Sequence, residues 1–252
     1  MHINDYYFVK CFGKQSYRDT FNSGKLFFGH VKKYWVAENT FQQDFEGRIL
    51  QQEGNGLLIA AKPGFENVLK QAHSVQDVEE IVEKRGDIVV AHTTSFSSWI
   101  NGFICCFYLL PKKDVTLRNN KMVFANDTVK KGFTDFLTNY KGKDGVFAGI
   151  YDAARLCRAF DEVSTDQGVP SARDIVKYAD MNTTQVFTCF NQGDVASIIF
   201  TKPKAYDYQR EYRFFLSPKV ENEHDYYILS GISMTPCIVA TFEYPAQFCF
   251  KE

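Results

Sequence analysis

The stretch FTKPKAYDYQREYRFFL, residues 200–216, carries most of what the sequence says about fold and site. Its many aromatic residues favour a β-strand, in which alternate side chains point to opposite faces of a sheet. One face would hold mostly packing residues: Tyr206, Tyr208, Arg210, Tyr212, Phe214 and Leu216. The other face would hold a mostly polar row: Asp207, Gln209, Glu211, Arg213 and Phe215. Such a row either faces water or lines a cleft.

The composition of the chain is that of an ordinary globular protein. Its 252 residues include 29 Lys and Arg against 30 Asp and Glu, a formal net charge of -1. This balance excludes a strongly basic nucleic-acid coat and an acidic tail, but it leaves room for a small basic cleft. Hydrophobic residues make up 45%, enough for a full core. We find no internal repeat and no linker, and we predict a single domain over residues 1–252.

Hydrophobic patterns predict strands interspersed with a few helices. The predicted strands lie at residues 6–12, 25–29, 57–61, 87–92, 102–110, 185–190, 196–201 and 210–216. The predicted helices lie at residues 15–22, 74–85, 133–140 and 149–160, the first with Ser16 as N-cap and Gly24 after its end. An amphipathic hairpin is predicted at residues 112–131. A final hairpin is predicted at residues 226–242. These elements predict an α+β fold with mixed, largely antiparallel sheets and flanking helices.

Cysteine and histidine positions give little support for a metal site. The seven cysteines contain no C-x-x-C pair, and the five histidines show no H-x-H or H-E-x-x-H spacing. The N-terminus lacks the pattern of a signal peptide, and the longest apolar stretch, residues 100–110, is too short to cross a bilayer. We therefore expect a soluble cytoplasmic protein that holds no metal and binds no membrane.

Gln209 and Glu211 form a Q-x-E motif, which resembles the Q-x-E or E-x-E signature of ADP-ribosyltransferases. The predicted opening of a strand, a helix and the KLFF stretch at 25–28 resembles the start of that fold. It is also similar to the start of a poorly characterised bacterial family, which carries an acidic N-D-P-x-E-like segment and a K-P…E-x-E-Y-R segment. The counterparts here are DFEG at 44–47, Lys202-Pro203 and QREYR at 209–213. The resemblance covers the two ends of the chain and leaves residues 60–195 unplaced.

The resemblance implies an ADP-ribosyltransferase-like fold and a metal-free enzyme that uses NAD as a substrate. Breaking the bond between nicotinamide and ribose leaves an oxocarbenium-like cation, which the Glu211 carboxylate would stabilise. Gln209 would orient the acceptor, and its amide suits a nucleobase in RNA or DNA better than an arginine. The resemblance also implies a bacterial toxin or phage-defence effector, with an antitoxin or inhibitor protein as its partner.

The residues expected to hold NAD are Lys10, Tyr17, Arg18, Phe28, Tyr208 and Arg213. The first strand lacks the Arg or His that many ADP-ribosyltransferases place there, so Lys10 or Arg18 would bind the pyrophosphate. An aromatic ring, from Tyr17, Phe28 or Tyr208, would stack on nicotinamide or adenine. The TTSFSS stretch at 93–98 would stand in for the S-T-S strand of that family.

Other interpretations of the same residues stay open. Glu211 and Arg213 would also suit a cross-strand ion pair on a solvated sheet face. The chain would then be a non-enzymatic interaction module, acting in defence or anti-defence. Alternatively, residues 112–131, with six Lys or Arg, would grip RNA in a metal-independent ribonuclease.

Overall fold

The computed structural model describes residues 2–31, 56–61, 83–85, 88–93, 102–118, 121–138, 146–179, 195–202, 204–219, 225–243 and 247–250. Over these residues the chain is a mixed α+β structure with largely antiparallel sheets, as predicted. The helices are α1 (Gln15–Asn22), α2 (Asp127–Thr138), α3 (Ala153–Asp166) and α4 (Val195–Ile199). Short 3-10 turns cover Ile3–Asp5, Lys112–Asp114 and Lys204–Gln209.

The strands are numbered in chain order. Those of the first half are β1 (Tyr6–Phe12), β2 (Lys25–His30), β3 (Gly56–Ala61), β4 (Glu83–Arg85), β5 (Ile88–Thr93), β6 (Phe103–Pro111), β7 (Val115–Arg118) and β8 (Lys121–Phe124). Those of the second half are β9 (Val146–Asp152), β10 (Ser171–Ile175), β11 (Lys177–Tyr178), β12 (Thr201–Lys202), β13 (Glu211–Leu216), β14 (Tyr226–Ser230), β15 (Ile238–Glu243) and β16 (Gln247–Phe250). Smaller sheets join β3, β5 and β4, then β7 with β8, and β11 with β12.

The largest sheet in the described part of the chain is built around β6. Along one edge β6 pairs antiparallel with β13, from Phe103 opposite Leu216 to Tyr108 opposite Glu211. Two strands share its other edge, because β1 pairs with residues 108–111 while β2 pairs with residues 103–104. The strand order is β10-β13-β6-β1-β9-β15-β16, with β14 joined to β2 as a branch. The sheet therefore divides where β1 and β2 leave β6.

Side-chain alternation gives this sheet two apolar faces, each covered by helices. The first face is covered by α1 and α3, and its core includes Phe8, Phe21, Phe107, Phe160 and Phe214. The second face is covered by α2, and its core includes Val9, Tyr108, Leu110, Phe133, Phe136 and Ile150. Consecutive residues of one strand, such as Phe8 and Val9, therefore belong to different cores.

The turn between α1 and β2 is the one that the sequence predicts. Gly24 follows the helix with a φ of 92°, a left-handed conformation that glycine adopts without a steric penalty. Its carbonyl oxygen accepts hydrogen bonds from the backbone N–H groups of Gly231 and Ile232. Lys14, rather than Ser16, occupies the N-cap position of α1, and its side chain makes no capping hydrogen bond.

The prediction that residues 206–216 alternate along one strand is wrong in its first half. Residues 195–199, which overlap the predicted strand at 196–201, form α4, and a 3-10 turn at 204–209 separates the short β12 from β13. Gln209 therefore ends a turn and does not share a strand face with Glu211. Aromatic content favoured a strand here, but the chain instead folds back on itself, with Arg210 at a φ of 41°.

Two further predictions fail because long-range pairing overrides local pattern. The helix predicted at 149–160 begins only at Ala153, since residues up to 152 complete β9 between β1 and β15. Asp152 caps α3, and its carboxylate accepts a hydrogen bond from the Arg155 N–H at 2.9 Å. The predicted hairpin at 226–242 does not form, because β14 pairs with β2 and β15 pairs with β9 and β16.

Several predicted features lie wholly or mostly outside the described residues. They are the acidic segment at 44–47, the TTSFSS stretch at 93–98, the strand at 185–190 and most of the helix at 74–85, whose last described residues, Glu83–Arg85, form β4 instead. The hairpin predicted within 112–131 is confirmed as β7 and β8. Among the described helices, none is long and apolar enough to cross a membrane.

Candidate functional site

Gln209 and Glu211 meet at a sharp change of backbone direction. The 3-10 turn ends at Gln209, and β13 begins at Glu211. Arg210 between them has a φ of 41°, in the left-handed region that residues other than glycine seldom adopt. The Leu109 N–H donates to the Arg210 carbonyl oxygen at 2.8 Å, which attaches this bend to β6. The bend brings both side chains to the same group of polar residues.

We call this group the polar cluster, and its members are Lys202, Gln209, Glu211 and Arg213. Each of them is at most 6% exposed. The Lys202 Nζ donates to Glu211 Oε2 at 2.7 Å and to Gln209 Oε1 at 2.8 Å. The Arg213 Nε donates to Glu211 Oε1 at 2.7 Å. The Glu211 carboxylate therefore lies between two cations, and the interpretation of a solvated ion pair on an open sheet face does not apply.

Neighbouring elements fix the position of the polar cluster. The Arg213 Nη1 donates to the carbonyl oxygen of Ile199, the last residue of α4. The Glu211 N–H donates to the hydroxyl oxygen of Tyr178 in β11 at 2.8 Å. Since β11 pairs in parallel with β12, Tyr178 and Lys202 lie opposite each other in register. The end of α4, the β11–β12 pair and the 3-10 turn that ends at Gln209 therefore all contact the polar cluster around Glu211.

The electrostatics of the cluster keep Glu211 ionised. Burial alone would raise the pKa of this carboxyl, but the charges of Arg213 and Lys202 hold it well below its usual range. Cys106 lies opposite Arg213 in the β6–β13 register, and the charges of Glu211 and Arg213 also act on its thiol. Burial, and then the Glu211 charge, raise the pKa of the Cys106 thiol, so this cysteine is a neutral thiol rather than a nucleophile.

The orientation of the Gln209 amide is defined by its contact with Lys202. An ammonium group is only a donor, so the amide atom that it contacts must be the oxygen. The Gln209 Nε2 is consequently turned away, and it is buried without a hydrogen-bond partner among the described residues. A buried amide donor in this state is uncommon in proteins, and it can donate to a group that enters the cluster.

Lys10 lies on the opposite face of the sheet from Glu211, at the division between β1 and β6. Alternation places Lys10 on the side of Phe8, and its Nζ is 5.4 Å from the ring centroid of Phe107. The Nζ also donates to the Cys106 carbonyl oxygen at 2.8 Å. Lys10 thus binds a backbone group of β6 near the point where β1 leaves it.

The other predicted cofactor residues do not join the polar cluster. Arg18 of α1 is 7% exposed, lies over the Phe147 ring and pairs with Asp19 at 3.2 Å. Phe28 is fully buried in the first core, where its ring stacks on Phe160, so it has no surface to offer a ligand. Tyr17 on α1 and Tyr208 on the 3-10 turn are 56% and 42% exposed. Of these residues, Tyr208 is the one beside Gln209.

A cavity of about 600 Å³ opens on the other side of β13. Its lining includes His2, Ile3, Asn4, Arg173, Asp174 and Tyr212. Tyr212 alternates with Glu211 and Arg213 along the strand, so this cavity faces away from the polar cluster. The Arg173 guanidinium is already bound by both Asp161 carboxylate oxygens, at 2.8 and 2.7 Å, and donates to the Tyr212 hydroxyl at 3.0 Å.

The sequence does not predict two residues that contact Glu211, namely Lys202 and Tyr178. The sequence indicates Lys202 only as part of the K-P segment, because its contact with Glu211 depends on the 3-10 turn between β12 and β13. Tyr178 was not singled out at all, since its contact with Glu211 depends on the pairing of β11 with β12. The available signal for Lys202 was its position just before Pro203 and seven residues before Gln209, because a proline favours a turn that can bring the lysine back to the Q-x-E motif.

Known proteins add no guide to this site. No model of a protein family matched the chain, and neither did any curated protein or solved structure in the comparisons. Within the described ranges, no group of three or more His, Cys, Asp or Glu is placed to hold a metal ion. The chemistry of the site is therefore that of the four residues of the polar cluster.

Proposed function

We propose that the chain is an ADP-ribosyltransferase that uses NAD and acts through Glu211 and Gln209. One observation carries this proposal: the two residues of the Q-x-E motif lie in one enclosed polar cluster and are joined through Lys202. Buried ion pairs contribute little net stability, because removing charges from water costs about as much as their attraction returns. A buried cluster with a strongly shifted carboxyl pKa is therefore more typical of a functional site than of a structural support.

The proposed reaction exchanges one bond at the ribose C1′ atom for another. The C1′–N bond of NAD breaks, and its electron pair leaves with nicotinamide. A lone pair of the acceptor then attacks C1′, and the acceptor nitrogen or oxygen loses its proton. The Glu211 carboxylate, ionised at neutral pH, would offset the positive charge that develops on the ribose.

Glu211 retains hydrogen-bonding capacity for this role. Each carboxylate oxygen can accept about two hydrogen bonds. Lys202 takes one site on Oε2 and Arg213 takes one on Oε1. The ribose hydroxyls of NAD would donate to the remaining sites, while the two cations keep the carboxylate in position.

Access to the cluster requires a movement of its cover. The Tyr206 ring on the 3-10 turn lies 5.9 Å from the Lys202 Nζ, so this turn is part of the cover. We expect NAD binding to displace the Tyr206 ring, while Gln209 keeps its contact with Lys202. Lys10 lies on the other face of the sheet, where its Nζ donates to the Cys106 carbonyl oxygen, so it would not contact the pyrophosphate.

The proposed acceptor is a nucleobase in RNA or DNA. Gln209 presents an amide donor rather than a carboxylate, so it does not offer a guanidinium the negative partner that it prefers. An enzyme of this kind would suit a bacterial toxin or an antiviral effector, with an inhibitor protein as its partner.

The first test is transfer of label from NAD. The purified chain is incubated with NAD labelled in its adenylate phosphate and, separately, with RNA, DNA and a protein extract. We expect label to move onto nucleic acid, and we expect Glu211→Gln to reduce the rate by about a hundredfold or more. Glu211→Asp keeps the charge and gives a second variant if Glu211→Gln does not fold.

Glu162→Gln is the matched control, since it makes the same chemical change on an exposed position of α3. Its transfer rate should equal that of the wild-type protein. Transfer by Glu211→Gln at the wild-type rate would contradict the proposed role of this carboxylate. If the wild-type protein shows neither transfer nor thermal stabilisation by NAD, the proposed enzyme activity is wrong. That result would favour the interaction module. RNA degradation without NAD would favour the ribonuclease.

A further inference from the structure

We propose that Lys202 is a positioning residue that orients the Gln209 amide and so determines which acceptor the enzyme uses. This inference rests on the proposed function and concerns its substrate class. It starts from the double contact of the Lys202 Nζ, which bridges the amide of Gln209 and the carboxylate of Glu211. One ammonium group thereby fixes both residues of the Q-x-E motif relative to each other.

Lys202 is well placed to act as a fixed reference point. It lies on β12, which pairs with β11, and its carbonyl oxygen accepts a hydrogen bond from the Ala179 N–H at 2.8 Å. Lys202 as a whole residue is 6% exposed, and its Nζ lies over the Tyr206 ring. Gln209, in contrast, ends a 3-10 turn next to the left-handed Arg210, so its own backbone is not held in a sheet.

The consequence of this contact is that Gln209 can offer only a donor to an incoming group. Its Oε1 is occupied by Lys202, and its buried Nε2 has no hydrogen-bond partner in the described part of the chain. A free glutamine would present either end of its amide, but this one cannot rotate without placing two donors in contact. The acceptor must therefore carry a hydrogen-bond acceptor beside its nucleophile.

Nucleobases meet this requirement and guanidinium groups do not. Guanine and cytosine, for example, carry carbonyl oxygens and ring nitrogens next to their amino groups. An arginine side chain carries donors only. A protein amide would meet the hydrogen-bonding requirement as well, but Tyr208 next to Gln209 is 42% exposed and offers a ring on which a base can stack.

The test compares Lys202→Met and Lys202→Arg with Lys177→Met, a control at an exposed position on the neighbouring strand. Each protein is assayed for NAD hydrolysis and for transfer to guanosine nucleotides, to an asparagine peptide and to agmatine, a guanidinium compound. We expect Lys202→Met to lower the ratio of transfer to hydrolysis by about tenfold, and this ratio compares two reactions of the same variant. Lys202→Arg keeps the charge and should retain part of the ratio, and it replaces Lys202→Met if that variant does not fold.

A measurement without NAD tests the contact itself. The side-chain amide resonance of Gln209, identified by its loss in Gln209→Leu, should shift in Lys202→Met and stay in place in Lys177→Met. A resonance that does not move overturns the positioning role. Equal transfer to agmatine and to guanosine by the wild-type enzyme overturns the acceptor class, and transfer only to the peptide assigns the acceptor to protein amides.

The two levels of the proposal fail in different ways. If the wild-type protein neither hydrolyses NAD nor transfers ADP-ribose from it, the proposed function is wrong. The proposed acceptor class is then wrong as well. If it transfers ADP-ribose and Lys202→Met keeps the wild-type ratio, the proposed function stands and only the role of Lys202 is wrong.

Discussion

Glu211 is the residue on which the polar cluster depends. It is the carboxylate shared by Lys202 and Arg213, and it is buried with them. Removing one partner of a buried ion pair is far more costly than never having had the pair, because the remaining charge stays buried. The cluster is thus intolerant of single neutral substitutions.

We expect Glu211→Gln to reduce the free energy of unfolding by about 3–5 kcal/mol at neutral pH. The pKa of Glu211 is lowered in the folded protein, while an unfolded glutamate has a pKa of about 4.3. Its contribution is therefore complete above the unfolded pKa and is lost as the pH falls through the folded pKa. Urea unfolding at about pH 7 and about pH 3 should show that the difference from wild type narrows in acid.

Glu162→Gln again serves as the control, and its effect on stability should be small at both values of pH. A difference between Glu211→Gln and wild type that widens in acid would have the wrong sign. It would mean that the carboxyl is protonated in the folded protein, and that Lys202 and Arg213 do not hold it ionised.

At the scale of elements, the turn between α1 and β2 shows how one residue connects a helix to the sheet. Gly24 reverses the chain with its positive φ, and its carbonyl oxygen binds the backbone that follows β14. A Cβ atom on Gly24 would lie 2.7 Å from the Ile232 carbonyl oxygen, and a backbone oxygen cannot move aside as a side chain can. The same turn thus sets the position of β2 and of the segment after β14.

Gly24→Ala is expected to destabilise the protein by about 1–3 kcal/mol, because the left-handed backbone and the close approach both penalise a side chain. The lower midpoint of thermal or urea unfolding measures the effect. Gly13→Ala is the control, since a Cβ atom there would have no heavy atom within 4 Å and the φ is not positive. Equal stability of the two variants would contradict the strained turn.

Local sequence was sufficient for elements whose pattern and pairing agree. The strand at 6–12, the helix at 15–22, the strand at 25–29 and the central strand near 102–110 were all predictable from alternation, helical spacing and Gly24. The adjacent Cys105 and Cys106 were expected on opposite faces of a strand. Cys105 does lie in the first core, and Cys106 lies opposite Arg213 on the other face.

The site was predictable in its residue types but not in its geometry. Q-x-E marked Gln209 and Glu211, yet the spacing of two is produced by a left-handed Arg210 and not by strand alternation. The geometry of the polar cluster depends on contacts with α4, β11 and β12, which lie elsewhere in the sequence and leave no local pattern. The same reason hid Tyr178 and the role of Lys202.

At the scale of the whole molecule, one sheet is shared by two cores. Phe160 of α3 stacks on Phe214 with ring centroids 4.2 Å apart on the first face. Phe136 of α2 stacks on Tyr108 at the same distance on the second face. Because β6 and β13 contribute to both sides, loss of packing on one face should weaken the other.

The prediction of a single domain can be tested through these two contacts. We expect Phe160→Ala and Phe136→Ala each to lower the stability by about 3–5 kcal/mol and to lower the midpoint of one common unfolding transition. Near-ultraviolet circular dichroism and tryptophan fluorescence should report coincident curves. Two separate transitions, with each variant moving only one of them, would divide the chain into two domains.

The position of β6 also governs the order in which the chain can fold during synthesis. Its partner β1 lies about a hundred residues before it, and its partner β13 lies about a hundred residues after it. A growing chain therefore presents one edge of β6 unpaired until residues 211–216 have left the ribosome. Contacts so distant in sequence slow folding, because loop closure costs entropy before any pairing compensates for it. Glu211 is the first residue of β13, so the strand that carries the proposed catalytic carboxylate is also the one that pairs the open edge of β6.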